Sequence, residues 1–243
     1  MANKQIHRVS PELTDDAQFT NIESIPTTML KDGDTILVYP GEYSDPRTSN
    51  VANVTIQGFG GNKDVVFNGF SIMSDGPGGA NVAIKNVTIR SAGLIVGNTA
   101  STVKVEDCVI DGTSGPSKVG ALGIANAAIT IGVLDSNAAV AATDAAAVVS
   151  LERCSIGSNI SGGYGIVAHN NSGSLTVRDC TVATDCGMMI NVATTIEHST
   201  FTGANAYALA IAAGGTPTAT VRLSVAAAAN AGNMTETVVA AIS

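Results

Sequence analysis

Six short segments of the chain share one alternation of apolar and polar positions. They are FNGFSI (67–72), IKNVTI (84–89), VEDCVI (105–110), LERCSI (151–156), VRDCTV (177–182) and IEHSTF (196–201). Apolar residues take the first, fourth and sixth places, with Ser199 at one fourth place, and the second and third places are mostly charged or polar. The first places are Phe67, Ile84, Val105, Leu151, Val177 and Ile196, spaced 17, 21, 46, 26 and 19 residues apart. The spacing of 46 reads as two units of about 23, which puts a missing unit in AAITIGVLDS (127–136). A further unit, ATVRLSV (219–225), fits 25 residues after Ile196. Such period-two alternation over five or six residues predicts short strands.

Each unit also carries a second apolar stretch, often opened by glycine: GLIV (93–96), GALGI (120–124), GYGIVA (163–168), GMMI (187–190) and YALAI (207–211). Gly, Asn, Asp, Ser and Thr separate these stretches, as turns require. A unit therefore holds about three short strands, none long enough to bury a face alone, and stacking is the way to bury them. The expected fold is all-β: a right-handed, single-stranded parallel β-helix. Helical repeats of this length would show longer 3.6-residue periodicity, and leucine-rich repeats a fixed Leu/Asn pattern. The right hand follows from crossover chirality. From Val54 onward there is room for roughly eight or nine rungs, a column about 40 Å long at ~4.8 Å per rung.

The segment preceding the column reads IESIPTTMLKDGDTILVYPGEYSD (22–45), then VTIQGFGGNKDVVFNGF (54–70). Gly33, Asp34, Thr35, Ile36, Val38, Pro40, Gly41 and Tyr43, followed by Val54, Thr55, Ile56 and Gly58, resemble the start of the pectin-lyase-like right-handed β-helices. In that family a short capping helix leads into this strand and turn. A cap is physically required, because an open column end exposes apolar side chains and unpaired strand edges. The expected organisation is an N-terminal arm over 1–21, a β-helix domain over 22–225 with cap and first strand in 22–53, and a C-terminal tail or cap over 226–243. The fold hosts lyases, esterases, hydrolases, adhesins and viral spikes, so the resemblance implies architecture more than chemistry.

Composition narrows the function classes. Charged residues are only 13% of 243 and the net charge is −8, which argues against a nucleic-acid footprint and against binding an anionic membrane surface. Residues 1–20 contain no apolar h-region, and no run of 18 apolar residues occurs. The expectation is synthesis in a reducing cytoplasm, with the four cysteines as free thiols.

Cys108, Cys154 and Cys180 share the fourth place with Val87, so they are expected to be small buried hydrophobes rather than nucleophiles or metal ligands. Cys186 falls in a turn before GMMI, where a bridge to Cys180 is the alternative. With three histidines in the chain, a zinc site is not expected, nor is any other metal or cofactor. The charged second and third places line up as Lys85 with Glu106, then Glu152, Arg178 and Glu197, then Arg153, Asp179 and His198, with Arg90 beside Asp111 one step further. Alternating signs predict a solvent-facing ladder that discourages slippage between rungs.

No catalytic set stands out. Glycosidase chemistry needs two carboxylates about 5–10 Å apart, one with a raised pKa. Asp107 and Asp179 are expected three rungs apart. Asp135 with Asp144, Asp179 with Asp185, or Asp64 with Asp75 have nothing that selects them. Aromatic platforms are scarce: Tyr39 and Tyr43 belong to the capping turn, Phe67, Phe70 and Phe201 to the interior, leaving Tyr164 and Tyr207. GPGG (76–79) and GFGGNKD (58–64) precede strands and read as turns, not phosphate loops. The sequons at 86–88, 170–172 and 233–235 matter only on secretion.

The expected function is a non-enzymatic structural protein of a tailed-phage virion, a capsid decoration protein by preference, because of the chain's length and the lack of a glycan cleft. The resemblance implies a homo-oligomer, most often a trimer, and the partner would be a major capsid or tail protein. The alternatives are a polysaccharide-binding or -degrading β-helix enzyme, as in tail spikes, and a secreted adhesin.

Overall fold

The computed structural model describes residues 4–13, 16–44, 46–49, 53–73, 81–91, 93–97, 102–112, 127–133, 147–157, 164–168, 173–184, 186–190, 192–201, 209–211, 219–226 and 239–240. Within them the chain winds as a parallel β-helix with three faces. The first face stacks Ile6–Val9, Thr35–Val38, Val54–Gly58, Asn81–Lys85, Thr102–Glu106, Val148–Glu152, Ser174–Arg178, Ala193–Glu197, Ala219–Ala226 and Val239–Ala240, every neighbour parallel. The second face runs from Gly41–Tyr43 through Val65–Phe67, Thr88–Ser91, Val109–Gly112, Ser155–Gly157 and Thr181–Ala183 to Thr200–Phe201. The third comprises Arg47–Ser49, Phe70–Met73, Leu94–Gly97, Ala127–Val133, Tyr164–Ala168, Cys186–Ile190 and Leu209–Ile211.

In-register pairing turns the sequence repeat into columns of like side chains. Ile36, Ile56, Ile84, Val105, Leu151, Val177, Ile196 and Val221 stand one above another on the first face. Those from Ile36 to Ile196 are buried. Burying such a side chain contributes about 1.5–3 kcal/mol. A rung of three- to five-residue strands holds only a few of them, which is why stability comes from stacking.

Two expectations about register are corrected. FNGFSI is not a copy of the repeated motif. Phe67 pairs with Ile89 on the second face, and Phe70 and Ile72 pair with Leu94 and Val96 on the third. The segment straddles a corner at Gly69, where φ is +133°, and its apolar spacing mimics the motif by coincidence. The first place of that rung is Ile56, and the Phe59–Asp64 turn displaces the second-face strand along the sequence. The spacing of 46 is likewise one rung, not two. Val105 pairs directly with Leu151, and Ala127–Val133, taken from the sequence as a missing unit, is the third-face strand of that same long rung. Residues 113–126 and 134–146 lie outside the described residues. Eight described first-face strands run from Val54 onward.

The ends are tied into the column. Within the segment expected as an arm, Ile6–Val9 is a strand that pairs with Thr35–Val38, and Val9 bridges to Phe19. The expected capping helix is two 3-10 turns, Ile22–Ser24 and Thr27–Met29. Asn21 opens the first by accepting from Ser24 N at 2.7 Å, and Ile22 and Ile25 bury against the column end. Gly33, with φ at +88°, makes the turn into Thr35–Val38, and Tyr43 Oη donates to the Tyr39 carbonyl at 2.8 Å. Within the expected C-terminal tail, Val239–Ala240 pairs with Ala219–Ala226 of its own chain. Cys186, expected in a turn, opens the strand Cys186–Ile190 opposite Tyr164. GALGI, GPGG, the sequons at 170–172 and 233–235, Asp75, Asp135, Asp144, Asp185 and Tyr207 lie outside the described residues.

Candidate functional site

The corner between the first and second faces carries the chemistry-bearing side chains. Its geometry follows from one backbone conformation. Asn86, Asp107, Arg153, Asp179 and His198, the third places of the motif, have φ between 49° and 56°. Asn and Asp tolerate this left-handed region best among residues with a side chain, which explains their frequency there. The turn throws second- and third-place side chains outward together, so each rung adds two polar groups to the same edge.

Stacked at rung spacing, these groups pair. Lys85 Nζ lies 2.6 Å from Glu106 Oε2. Arg153 grips Asp107 with Nε–Oδ1 at 2.7 Å and Nη2–Oδ2 at 3.1 Å, and also donates to Glu152. Arg178 reaches Glu197 at 2.8 Å, Arg222 approaches the same carboxylate at 3.5 Å, and His198 Nδ1 is 3.6 Å from Asp179. Arg90 and Asp111 are register partners as expected, while Arg90 also approaches Glu42 at 3.7 Å.

Corrected register brings together two groups that the sequence kept apart. Glu106 and Glu152 are direct neighbours, a like-charge step in the ladder. Lys104, two residues before Glu106 on the same outward side, lies 2.7 Å from Glu106 and 3.7 Å from Glu152. It screens the step. Asp107 and Asp179 are two rungs apart rather than three, with Arg153 between them.

The electrostatics follow from these contacts. Hydrogen bonds from Lys104 and Lys85 outweigh burial and hold Glu106 down at about 2. The bond from Arg153 likewise holds Asp107 below the usual carboxylate range. Lys104 is pushed up by its bond to Glu106, so its charge is fixed in turn. Each of these groups is locked in its ionised form. Such pairing resists slippage between rungs, and it leaves Glu106 and Asp107 as carboxylates without a proton to give at neutral pH.

The cysteines sit where their place in the repeat put them. Cys108, Cys154 and Cys180 are buried free thiols, stacked with Val87 before them and Ser199 after. Cys108 Sγ donates to the Glu106 carbonyl at 3.1 Å, Cys154 Sγ to the Glu152 carbonyl at 3.3 Å, and Cys180 Sγ to the Arg178 carbonyl at 3.1 Å. Ser199 Oγ does the same with Glu197 at 2.9 Å. The fourth place thus takes a small side chain, and where that is Cys or Ser it adds a second donor to a second-place carbonyl that already accepts a backbone N–H from the neighbouring rung. Burial pushes the Cys108 thiol up to about 12, and the hydrogen bond with Cys180, then burial, pushes Cys154 up as well. Cys108 and Cys154 are therefore poor nucleophiles, whereas the bond from Cys154 holds the buried Cys180 down.

Asp64 closes its own turn by accepting from Gly61 N at 2.7 Å. Phe67, Phe70 and Phe201 are buried in the column. Two features were missed in the sequence. Phe59 is 52% exposed with its ring 5.2 Å from that of Tyr39. His7 and Asp34 form a buried pair at the N-terminal end, Nε2 to Oδ2, at 3.0 Å. The 27 positions between the partners hid the contact. Among the described residues no group of three or more His, Cys, Asp or Glu side chains is arranged to hold a metal. No helix there is long and apolar enough to cross a membrane.

A family model described as a right handed beta helix region matches residues 70–225. The chain belongs to the right-handed β-helix family. The match begins at Phe70, beyond the capping segment, and runs through the whole charged ladder and the cysteine stack. Searches of the curated proteins and of the solved structures found no match. Membership of the right-handed β-helix family accounts for the ladder's geometry, because a column of near-equal rungs aligns every corner. It selects no activity, since function on this fold resides in the particular side chains displayed.

Proposed function

We propose that this β-helix is a non-enzymatic structural protein of a tailed-phage virion, a decoration protein that stiffens a capsid. In this reading it is made in the host cytoplasm, assembles with copies of itself, as a trimer, and docks on a major capsid or tail protein. The start of the column at Gly33–Tyr43 resembles that of pectin-lyase-like β-helices, a fold that virion spikes share with enzymes, so it supports the architecture this reading needs. The observation that carries the non-enzymatic part is the state of two ladder carboxylates, Glu106 and Asp107. A glycosidase acid must keep its proton at neutral pH and so needs a raised pKa. Glu106, the least exposed carboxylate of the ladder, is held at about 2, and Asp107 is held low beside Arg153. Cations on both sides spend these groups on rung-to-rung cohesion.

One observation favours a second reading. Phe59 is exposed beside the half-buried ring of Tyr39, and an exposed aromatic face of this kind can stack on a sugar. Purified protein incubated with capsular polysaccharide and pectin, with and without calcium, separates the two. No new reducing ends or unsaturated ends, together with co-sedimentation with assembled particles, is the expected result. Turnover of either polymer overturns the structural reading, and so does a protein that never sediments with particles.

A further inference from the structure

His7 occupies an unusual place. In register it continues the first-face column outward from Ile36, the position that Ile, Val or Leu takes in the rungs that follow. It is 2% exposed, and Asp34 beside it is fully buried. The Asp34 carboxylate gathers three donors: His7 Nε2 at 3.0 Å, Gln5 N at 2.9 Å and Lys31 N at 2.9 Å. Two of these belong to the outermost strand or its approach, and the third to the turn that begins the next rung. A single buried carboxylate therefore ties Ile6–Val9 to the column.

An aliphatic residue would bury at this place without any desolvation cost. A buried polar pair incurs that cost, and loss of one partner leaves the other stranded. The charged residues on the stretches of chain next to His7 in sequence or in the fold are Lys31, Asp32 and Asp34 in the turn, Asp16 before Phe19, and Lys4 and Arg8 beside it. Of these, Asp34 bonds to the imidazole. The Phe19 ring lies 6.4 Å from it, and the Lys4 stem covers Gly33, its Cε 3.2 Å from where a Cβ would stand.

We propose that His7 and Asp34 form an acid-released latch, which holds the N-terminal strand on the column end and lets it go when Asp34 is protonated. Burial alone would raise Asp34, but the hydrogen bonds from Gln5, His7 and Lys31 outweigh it and hold the group below its ordinary value. A depressed folded pKa gives stability that is present above the unfolded pKa and lost as pH falls through the folded one. Release bares the edge of Thr35–Val38 with Ile36 and Val38, a strand edge ready to pair.

Amide hydrogen exchange, expressed as protection factors across pH 7 to 2.5, tests the latch. Protection at Ile6–Val9 falls at least about tenfold, the factor that loss of one charge-assisted hydrogen bond brings. Protection at Val65–Phe67, a buried strand whose residues carry no carboxylate, holds over the same range. In Asp34→Asn, protection of Ile6–Val9 is low already at pH 7 and no longer varies with pH, while Asp179→Asn behaves as wild type. A flat profile in the wild type, a parallel loss at Val65–Phe67, or an Asp34→Asn protein that retains the acid transition would overturn the proposal.

Discussion

At the scale of single residues, the corner conformation sorts the sequence. Asn86 shows how much one position carries. Its φ of 56° favours Asn or Gly, and its Nδ2 donates to the Gly58 carbonyl at 3.1 Å and the Gly60 carbonyl at 2.6 Å. Two substitutions separate the contributions. Asn86→Gly keeps the backbone conformation and loses both bonds, so it should cost about 1–2 kcal/mol. Asn86→Ala adds left-handed strain of about 1 kcal/mol and should be the worse of the two. Chemical denaturation of both variants checks the order, and an Ala variant as stable as the Gly variant would contradict the backbone argument. Much at this scale was legible in the sequence. Cys108, Cys154 and Cys180 share a place with Val87, and that sufficed to put them inside. The left-handed turn was not legible, because Arg153 occupies it in one rung and that residue type does not announce it. The His7–Asp34 pair was not legible either, since no local pattern links residues 27 positions apart.

At the scale of strands, the ladder works through neighbours in register, and register is what the sequence misjudged. Counting the long rung as two separated Glu106 from Glu152 and hid the role of Lys104. Pairing of whole strands, which side-chain spacing cannot reveal when a rung carries long insertions, puts the two carboxylates side by side. The pH dependence follows. Glu106 moves from an ordinary 4.5 to about 2 on folding, through its bonds to Lys104 and Lys85. Its folded value is depressed, so its contribution is complete above about 4.5, shrinks as pH falls, and is gone below about 2. The shift corresponds to at most about 3 kcal/mol, and less in practice because both lysines are partly exposed and screened. Glu106→Gln should therefore unfold at lower denaturant than wild type at pH 7, by about 1–3 kcal/mol. The difference should close on titration towards pH 2. A gap that persists at pH 2 would place the effect in packing and not in charge.

At the scale of the whole molecule, the alternation of apolar and polar places identified the β-helix, because five imperfect copies of one six-residue pattern, with FNGFSI mimicking them, admit few other folds. The ends were less legible, since Ile6–Val9 and Val239–Ala240 pair with the column without carrying the motif. A column also fails differently from a globular core. Each rung touches the rung before it and the rung after it, so stability is a sum of rung terms and nearest-neighbour terms. Leu151 tests this best. It is fully buried in the rung that follows the 46-residue stretch, in register between Val105 and Val177. Leu151→Ala should cost about 2–5 kcal/mol locally. In a stack the loss should be graded. Hydrogen exchange should quicken most in Val148–Glu152, next in Thr102–Glu106 and Ser174–Arg178, and least in Thr35–Val38, several rungs away and under its cap. A uniform loss of protection would instead mean that the column unfolds as one cooperative unit. The cap at Ile22 and Ile25 would then stabilise distant rungs as strongly as its own.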